Sequence, residues 1–324
     1  MLDSSSSPDN AGSSESAAAP IRVVVVANKS WEADPLVNVL LSERSRPPAL
    51  GDFVAVNHPL LRPAGFAEPD PPTKPRITFT CNGTASVEVW CVQDLMNPKV
   101  HASLSLEKSR VIPKIFACAH RPSLVIAFGT AGFPESATVN GGVVIGSRTM
   151  LHDPRTSEQH RYRPTLVDEV GETRLSTGFF RQIDADVRFP AEGRFLRTPL
   201  APAETPIILA GHNWISLGSV NVTNYDDFVW TDVETIDAFR RLDPKKVSGR
   251  IGSMETTHGI IRELSEPAPF LFVSGITDGV PFFDLQVTPR VYAQNFVAAH
   301  NAGVALAWLL PSVVAQLSAA LIPG

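Results

Sequence analysis

The chain has 324 residues, 44% of them hydrophobic and 19% charged, with a formal net charge of -5. This length can bury a large core, as one domain or two small ones, and the composition is neither fibrous nor depleted in aliphatic residues. An acidic balance without any clustered run of Lys and Arg gives no sign of a polyanion partner, so nucleic acid is not expected and a small, nearly neutral ligand fits better.

The first twenty residues, rich in Ser, Ala, Asp and Asn, carry neither a basic nor an apolar leader segment and read as a disordered tail. Folded chain is expected over 21–324. Arg22 to Asn28 is a β-branched run ending in polar residues, the pattern of a central strand buried on both faces. A helix is expected from Pro35 to Leu41, with Leu36, Val37, Leu40 and Leu41 on one face. From Ser45 to Pro75 the crowding of Pro, Gly and charge predicts a loop, with a short strand at Asp52 to Val56. Strands follow at Ile77 to Thr80 and Ser86 to Val92, joined by a turn at Asn82-Gly83.

A helix over Leu104 to Ala119 leads into a strand at Ser123 to Phe128, and Val143 to Gly146 forms another. Leu151 to Pro206 is long, polar and without periodicity, which reads as an insertion of loops, a hairpin or a subunit contact. Strands return at Ile207 to Ala210 and Ile215 to Val222, helices at Asp232 to Arg241 and Gly252 to Leu264, and a buried strand at Phe270 to Ile276. The last helix spans Pro289 to Leu310. The apolar stretch Ala298 to Leu321 is interrupted by His300, Asn301, Pro311, Gln316 and Ser318, so a buried helix broken at Pro311 is expected rather than a membrane span. The alternation predicts a single α/β domain with a central mixed, mostly parallel sheet flanked by helices.

In an open α/β sheet, ligands bind outside the carboxyl ends of the strands, and several polar or Gly-rich clusters follow directly on apolar runs here. Phe128-Gly129-Thr130-Ala131-Gly132 offers small residues that admit close backbone approach, or simply a tight turn. It is neither a dinucleotide fingerprint nor a P-loop. Asp278, in Ser274-Gly275-Ile276-Thr277-Asp278-Gly279, ends an apolar strand where partial desolvation suits a carboxyl to acid catalysis, although capping a turn would use the same residue. Glu255, after Met254 and at or near a helix start, is either a site carboxylate or a cap. Glu32, just beyond the first strand, is either a helix-start residue or a general base.

In order and spacing, the blocks Val23 to Glu32, Phe128 to Gly132, Tyr225 to Val229, Met254-Glu255 and Ile276-Thr277-Asp278 resemble the nucleoside phosphorylase superfamily. Within it they are most similar to the methylthioadenosine/S-adenosylhomocysteine nucleosidases, and the pairing of Met254-Glu255 with Thr277-Asp278 is the specific part. The resemblance implies that Asp278 protonates or hydrogen-bonds a departing purine, and that Glu255 binds ribose hydroxyls. Met254 packs on the sugar in the same reading, and Phe228 and Val229 supply the aromatic platform and backbone contact for the base. Glu32 falls where the nucleosidases keep the carboxylate that activates water, and Thr130, with Ala131 and Gly132, lies near the sugar or nucleophile. Phe133 and Tyr225 stand where the family pattern has small residues.

Hydrolysis is favoured over phosphorolysis, because Asn28-Lys29-Ser30-Trp31-Glu32 lacks the family's phosphate-loop pattern and Glu32 would repel phosphate. The alternatives are a phosphorylase, with phosphate as co-substrate held by Lys29 or Arg148, and a nucleoside-binding protein without catalysis. No metal or organic cofactor is expected, and His152, Asp153 and His160 match no metal spacing. His258 reads as a surface or packed residue, and no GxSxG elbow suggests a serine hydrolase. Cys81, Cys91 and Cys118 read as structural thiols of a reduced, cytoplasmic chain. Homo-oligomerisation is expected by resemblance.

Overall fold

The computed structural model describes residues 21–56, 74–100, 104–117, 120–135, 139–152, 194–197, 206–220, 222, 225–245, 248–282 and 292–321. The expected N-terminal tail and most of the 151–206 insertion lie outside them.

Strand β1, Ile21–Ala27, is buried along its whole length. Val23, Val25 and Ala27 enter one hydrophobic cluster, and Val24 and Val26 enter another on the opposite face. A run without alternation is what a strand covered on both sides requires, and each fully buried valine contributes roughly 1.5–3 kcal/mol relative to exposure. Parallel neighbours β4 (Ala85–Cys91) and β5 (Leu124–Phe133) flank it. β2 (Leu50–Ala55) and β3 (Ile77–Cys81) extend the edge in antiparallel fashion. The β3–β4 turn lies where the sequence predicts it, with positive φ at both Asn82 and Gly83, and spans three residues because Cys81 pairs with Ala85.

Beyond β5 the sheet continues through β10 (Arg250–Glu255), β9 (Trp214–Ser219) and β7 (Arg148–His152). A branch of β11 (Phe270–Gly279), β6 (Val143–Gly146) and β8 (Ile208–Ala210) leaves from β5. The sheet is mixed and mostly parallel, with helices on both faces, as the sequence predicts. Helices α1 (Ser30–Leu41) and α7 (Tyr292–Leu321) cover one face. The other carries α3 (Ser105–Val111), α4 (Pro113–Phe116) and α6 (His258–Ser265), with α2 (Val92–Leu95) following β4 and α5 (Tyr225–Arg240) beside β9.

Several expectations need correction: β5 runs on to Phe133, so the 128–132 block is strand and not a tight turn, and α5 begins at Tyr225, not Asp232. Helix α1 begins at Ser30, not Pro35, so Glu32 lies in its first turn and Pro35 inside it. Pro35 is the sixth helical residue and forfeits the N–H that would bond the Trp31 carbonyl, a loss that packing of the buried Leu36, Val37 and Leu40 offsets. The single helix expected over 104–119 is two short ones, separated at Ile112 and Pro113. The helix expected over 252–264 is a strand to Glu255 and then a helix from His258, so Met254-Glu255 closes a strand. Asp278 lies within β11, which runs three residues past the Ile276 boundary to Gly279. Finally, α7 is continuous through Pro311. It is long and apolar enough to cross a membrane, yet Ala298, Ala302, Ala305, Leu309 and Val313 are fully buried, and the helix lies against α1 and β11. Burial on that scale outweighs the backbone bond that Pro311 forfeits.

Cys81 and Cys91 are buried and unpaired, and burial pushes both thiols up to about 12, which suits the structural role expected of them. Cys118 lies outside the described residues.

Candidate active site at the carboxyl end of the central strand

The first half of β5 lies between β1 and β11. β1 ends opposite Phe128, so the next residues of β5 lose that neighbour. The vacated flank is refilled from two directions. From one side comes the turn Asn28-Lys29 and the start of α1. From the other comes β10, antiparallel to β5, whose Met254 pairs with Gly132.

Glu32 docks into this gap and is 3% exposed. Its Oε1 accepts the backbone N–H of Thr130 at 2.8 Å and the Thr130 hydroxyl at 2.8 Å. Its Oε2 accepts the N–H of Lys29 at 2.8 Å, the reach-back of a third helical residue to its cap. Three of about four lone-pair positions are thereby used, leaving room for one further donor. The strand permits this approach because position 129 is glycine: a Cβ there would sit 3.1 Å from Glu32 Oε1 and 3.3 Å from His258 Nε2. The start of α1 is itself anchored. The fully buried Arg76 donates to both Asp94 oxygens, at 2.7 and 2.9 Å, to Ser30 Oγ at 3.1 Å and to Asp34.

Gly132 is paired on one side with Met254 and on the other with Asp278. The β11–β5 register skips Thr277, a bulge that re-aims Asp278 at Gly132. A Cβ on Gly132 would lie 3.3 Å from Asp278 Oδ2. Asp278 is 2% exposed and accepts the Thr277 hydroxyl, which also approaches the Ala131 carbonyl at 3.2 Å. Gln294 of α7 donates to the Thr277 carbonyl, fixing the bulge from below.

Glu255 follows Met254, and its carboxylate accepts the N–H groups of Thr257 and of His258, the latter at 2.7 Å. It thus caps α6, as the structural reading of the sequence allowed, and keeps lone pairs for other donors. Burial raises Glu255 to about 7 against the pull of these N–H groups and Lys108. His258 is buried, with Nδ1 3.2 Å from Ser216 Oγ, which in turn accepts from Ser253 Oγ at 2.9 Å. Burial pushes the imidazole down to about 3, so its 3.9 Å approach to Glu255 is not an ion pair.

Two side chains of this cluster carried no functional signal in the sequence. Asp232, on α5, accepts from Ser219 Oγ at 3.0 Å; burial, then the negative charges of Asp278 and Glu255, raise it to about 7. Lys108, on α3, is wholly buried and within the electrostatic influence of Glu255 and Glu32. Neither occupies a motif. Asp232 reads as a helix residue, and Lys108 sits in a short segment where the neighbouring Leu106 is exposed and the lysine is buried.

Of the residues expected from the sequence, Glu32, Thr130, Ala131, Gly132, Met254, Glu255 and Asp278 are brought together around the end of β5. Val229 is half-buried on α5. Phe228 lies on the same helix, but its side chain is outside the described set. Arg148, considered for phosphate, donates to the Ser248 carbonyl instead. Asp153 and His160 also lie outside the described residues.

No protein-family model matches the chain, and no curated protein matches it. Solved structures do. The chain is similar to the 5′-methylthioadenosine/S-adenosylhomocysteine nucleosidase of S. pneumoniae, solved with the transition-state inhibitor MT-ImmA. The TM-score is 0.50 and the identity 14%, over 90% of this chain and 100% of that one. It is also similar to a structure from Borrelia burgdorferi B31, assigned to the same kind of nucleosidase and bound to adenine. There the TM-score is 0.51 and the identity 9%, over 89% of this chain and 98% of that one.

Proposed function

We propose that this chain, which has the fold of the nucleoside phosphorylase and nucleosidase superfamily, cleaves the N-glycosidic bond of a purine-type nucleoside with water as the nucleophile. Breaking that bond builds positive charge on the ribose and negative charge on the base, so catalysis needs an acid or donor at the base and an anchor on the sugar. Asp278 is the acid to the leaving base. Glu255 accepts hydrogen bonds from the ribose hydroxyls, with Met254 packed on the sugar, and Phe228 and Val229 hold the base. Glu32 orients the attacking water. Its carboxylate already takes both donors of Thr130, so an anionic phosphate at that position would meet a buried negative charge in place of free N–H and O–H groups. That observation favours hydrolysis over phosphorolysis.

The observation that carries the reading is the row Met254–Gly132–Asp278 across β10, β5 and β11, with Glu32 on Thr130 two residues back along β5. The sugar-binding and base-directed residues of the resemblance come from segments far apart in sequence, yet they flank one glycine. Incubating the protein with a panel of nucleosides, with and without phosphate, and assaying free base tests this. Base released without phosphate supports the proposal; release only with phosphate makes the protein a phosphorylase, and binding without release makes it a binding module. Asp278→Asn is expected to remove turnover, a loss of about 100- to 10,000-fold, while ligand binding and melting behaviour persist. Full activity in that variant rules out Asp278 as the acid.

A further inference from the structure

Helix α3 runs Ser-Leu-Glu-Lys-Ser-Arg-Val, and its burial is inverted relative to polarity: Leu106 is 40% exposed and Lys108 is 0% exposed. A buried ammonium is costly unless its donors are used and a counter-charge is near. Both conditions hold. Lys108 Nζ donates to the Thr256 carbonyl at 3.2 Å, to Thr256 Oγ1 at 2.9 Å and to Thr257 Oγ1 at 2.7 Å. All these acceptors belong to the turn between β10 and α6. The same turn supplies the Thr257 and His258 N–H groups that hold the Glu255 carboxylate. His258, its next residue, and Glu32 both approach the space above Gly129.

We propose that Lys108 is a positioning residue for the candidate hydrolysis: it ties the 256–257 turn and acts as the buried counter-charge to Glu255, the carboxylate that the same turn holds. The inference rests on the nucleosidase reading and deepens it. The titratable groups around Lys108 are Glu32 of α1, Lys29 at its cap, Glu255 of β10 and the neutral His258 of α6. Of the others nearby, Glu107 and Arg110 on its own helix pair with each other. Lys114 of α4 acts on Glu107, and Asp94 of α2 is engaged by Arg76. Arg262 of α6 turns to the Ala268 carbonyl and Glu266. Burial pushes the ammonium down to about 7, with Lys29 acting the same way and Glu255 and Glu32 opposing. Lys108 and Glu255 thus each oppose the neutralising effect of burial on the other.

The sign of the effect follows. A nearby cation favours an ionised carboxylate, so removing Lys108 raises the proton affinity of Glu255 and moves the acid limb of the kcat/KM profile to higher pH. Lys108→Met keeps the chain length and removes the charge. With a nucleoside that the wild-type protein cleaves, we expect kcat/KM to fall about 100-fold and the acid limb to rise by about one pH unit. A folded Lys108→Met protein with an unmoved limb overturns the proposal, because a space-filling lysine would alter stability and not the profile. Should that variant fail to fold, Thr257→Val removes one acceptor of the ammonium and is expected to move the limb in the same direction; no movement is equally fatal.

A melting-temperature cycle of Lys108→Met, Glu255→Gln and the double variant is read without substrate. We expect the double variant to lose less than the sum of the single losses, since each single change strands a buried partner. Additive losses refute the electrostatic tie. If the wild-type protein cleaves no nucleoside, the functional reading falls and this cycle still decides the role of Lys108.

Discussion

Glu32→Gln separates two duties that one carboxylate performs. Oε1 accepts the N–H and hydroxyl of Thr130, and Oε2 accepts the N–H of Lys29, each at 2.8 Å. Glutamine has a single carbonyl oxygen. Turned toward Thr130, it sets its NH2 group against the Lys29 N–H; turned toward Lys29, it sets NH2 against the Thr130 N–H. The first orientation loses one charge-assisted bond and the second displaces both Thr130 donors, so the first is preferred and leaves one buried donor unpaired, a cost of about 1.5–3 kcal/mol. In a chain of this size that lowers Tm by about 5 °C. The chemical loss is on another scale, because an amide cannot accept a proton from water, and general-base catalysis accounts for about 100- to 10,000-fold. Thermal melting reads the first effect and free-base release under saturating nucleoside reads the second, with KM little changed. If Tm falls while kcat stays within about twofold of wild type, far below the range for a general base, Glu32 only caps α1 and the hydrolytic reading of this carboxylate is refuted.

Gly129→Ala places a methyl group 3.1 Å from Glu32 Oε1 and 3.3 Å from His258 Nε2. It is expected to displace the carboxylate and lower kcat about tenfold or more, as small misplacements do, and an unchanged kcat would show that Glu32's position is not critical. Asp232 supplies a pH test. Its folded-state pKa is raised to about 7 by burial, so between about pH 4 and 7 the fold holds a proton that the unfolded chain has released. The stability it contributes is complete below that window and lost as pH rises through it. Asp232→Asn, which still accepts from Ser219, is therefore expected to gain in Tm relative to wild type at pH 8 compared with pH 5; an equal difference at both pH values contradicts the buried, raised carboxyl.

Much of the architecture was legible along the chain because its signals are local. The unbroken valines of β1 announce burial on both faces, and Asn82-Gly83 announces a turn with two positive φ angles. Where expectation failed, a local signal competed with a tertiary one. The Gly252 to Leu264 stretch has helical periodicity in its second half, but its first half is drawn into the sheet between β9 and β5. Pro311 is a sound breaker in isolation, and packing of α7 against α1 and β11 overrides it.

For the site, sequence order and residue type were enough to single out Glu32, Thr130, Gly132, Met254, Glu255 and Asp278 as candidates. Their convergence was not readable, because it depends on register. One skipped residue at Thr277 decides that Asp278 faces Gly132, and no property of the chain near 277 states where a strand from residues 124–133 will lie. Lys108 and Asp232 were out of reach for the same reason. Burial of a charge is a property of what surrounds it in space, and the groups that make Lys108 tolerable, Thr256 and Thr257, lie 148 and 149 residues away. Periodicity and turn chemistry act over a few residues and so can be read from the chain; pairing register and the electrostatics of a buried cluster arise only when distant segments meet.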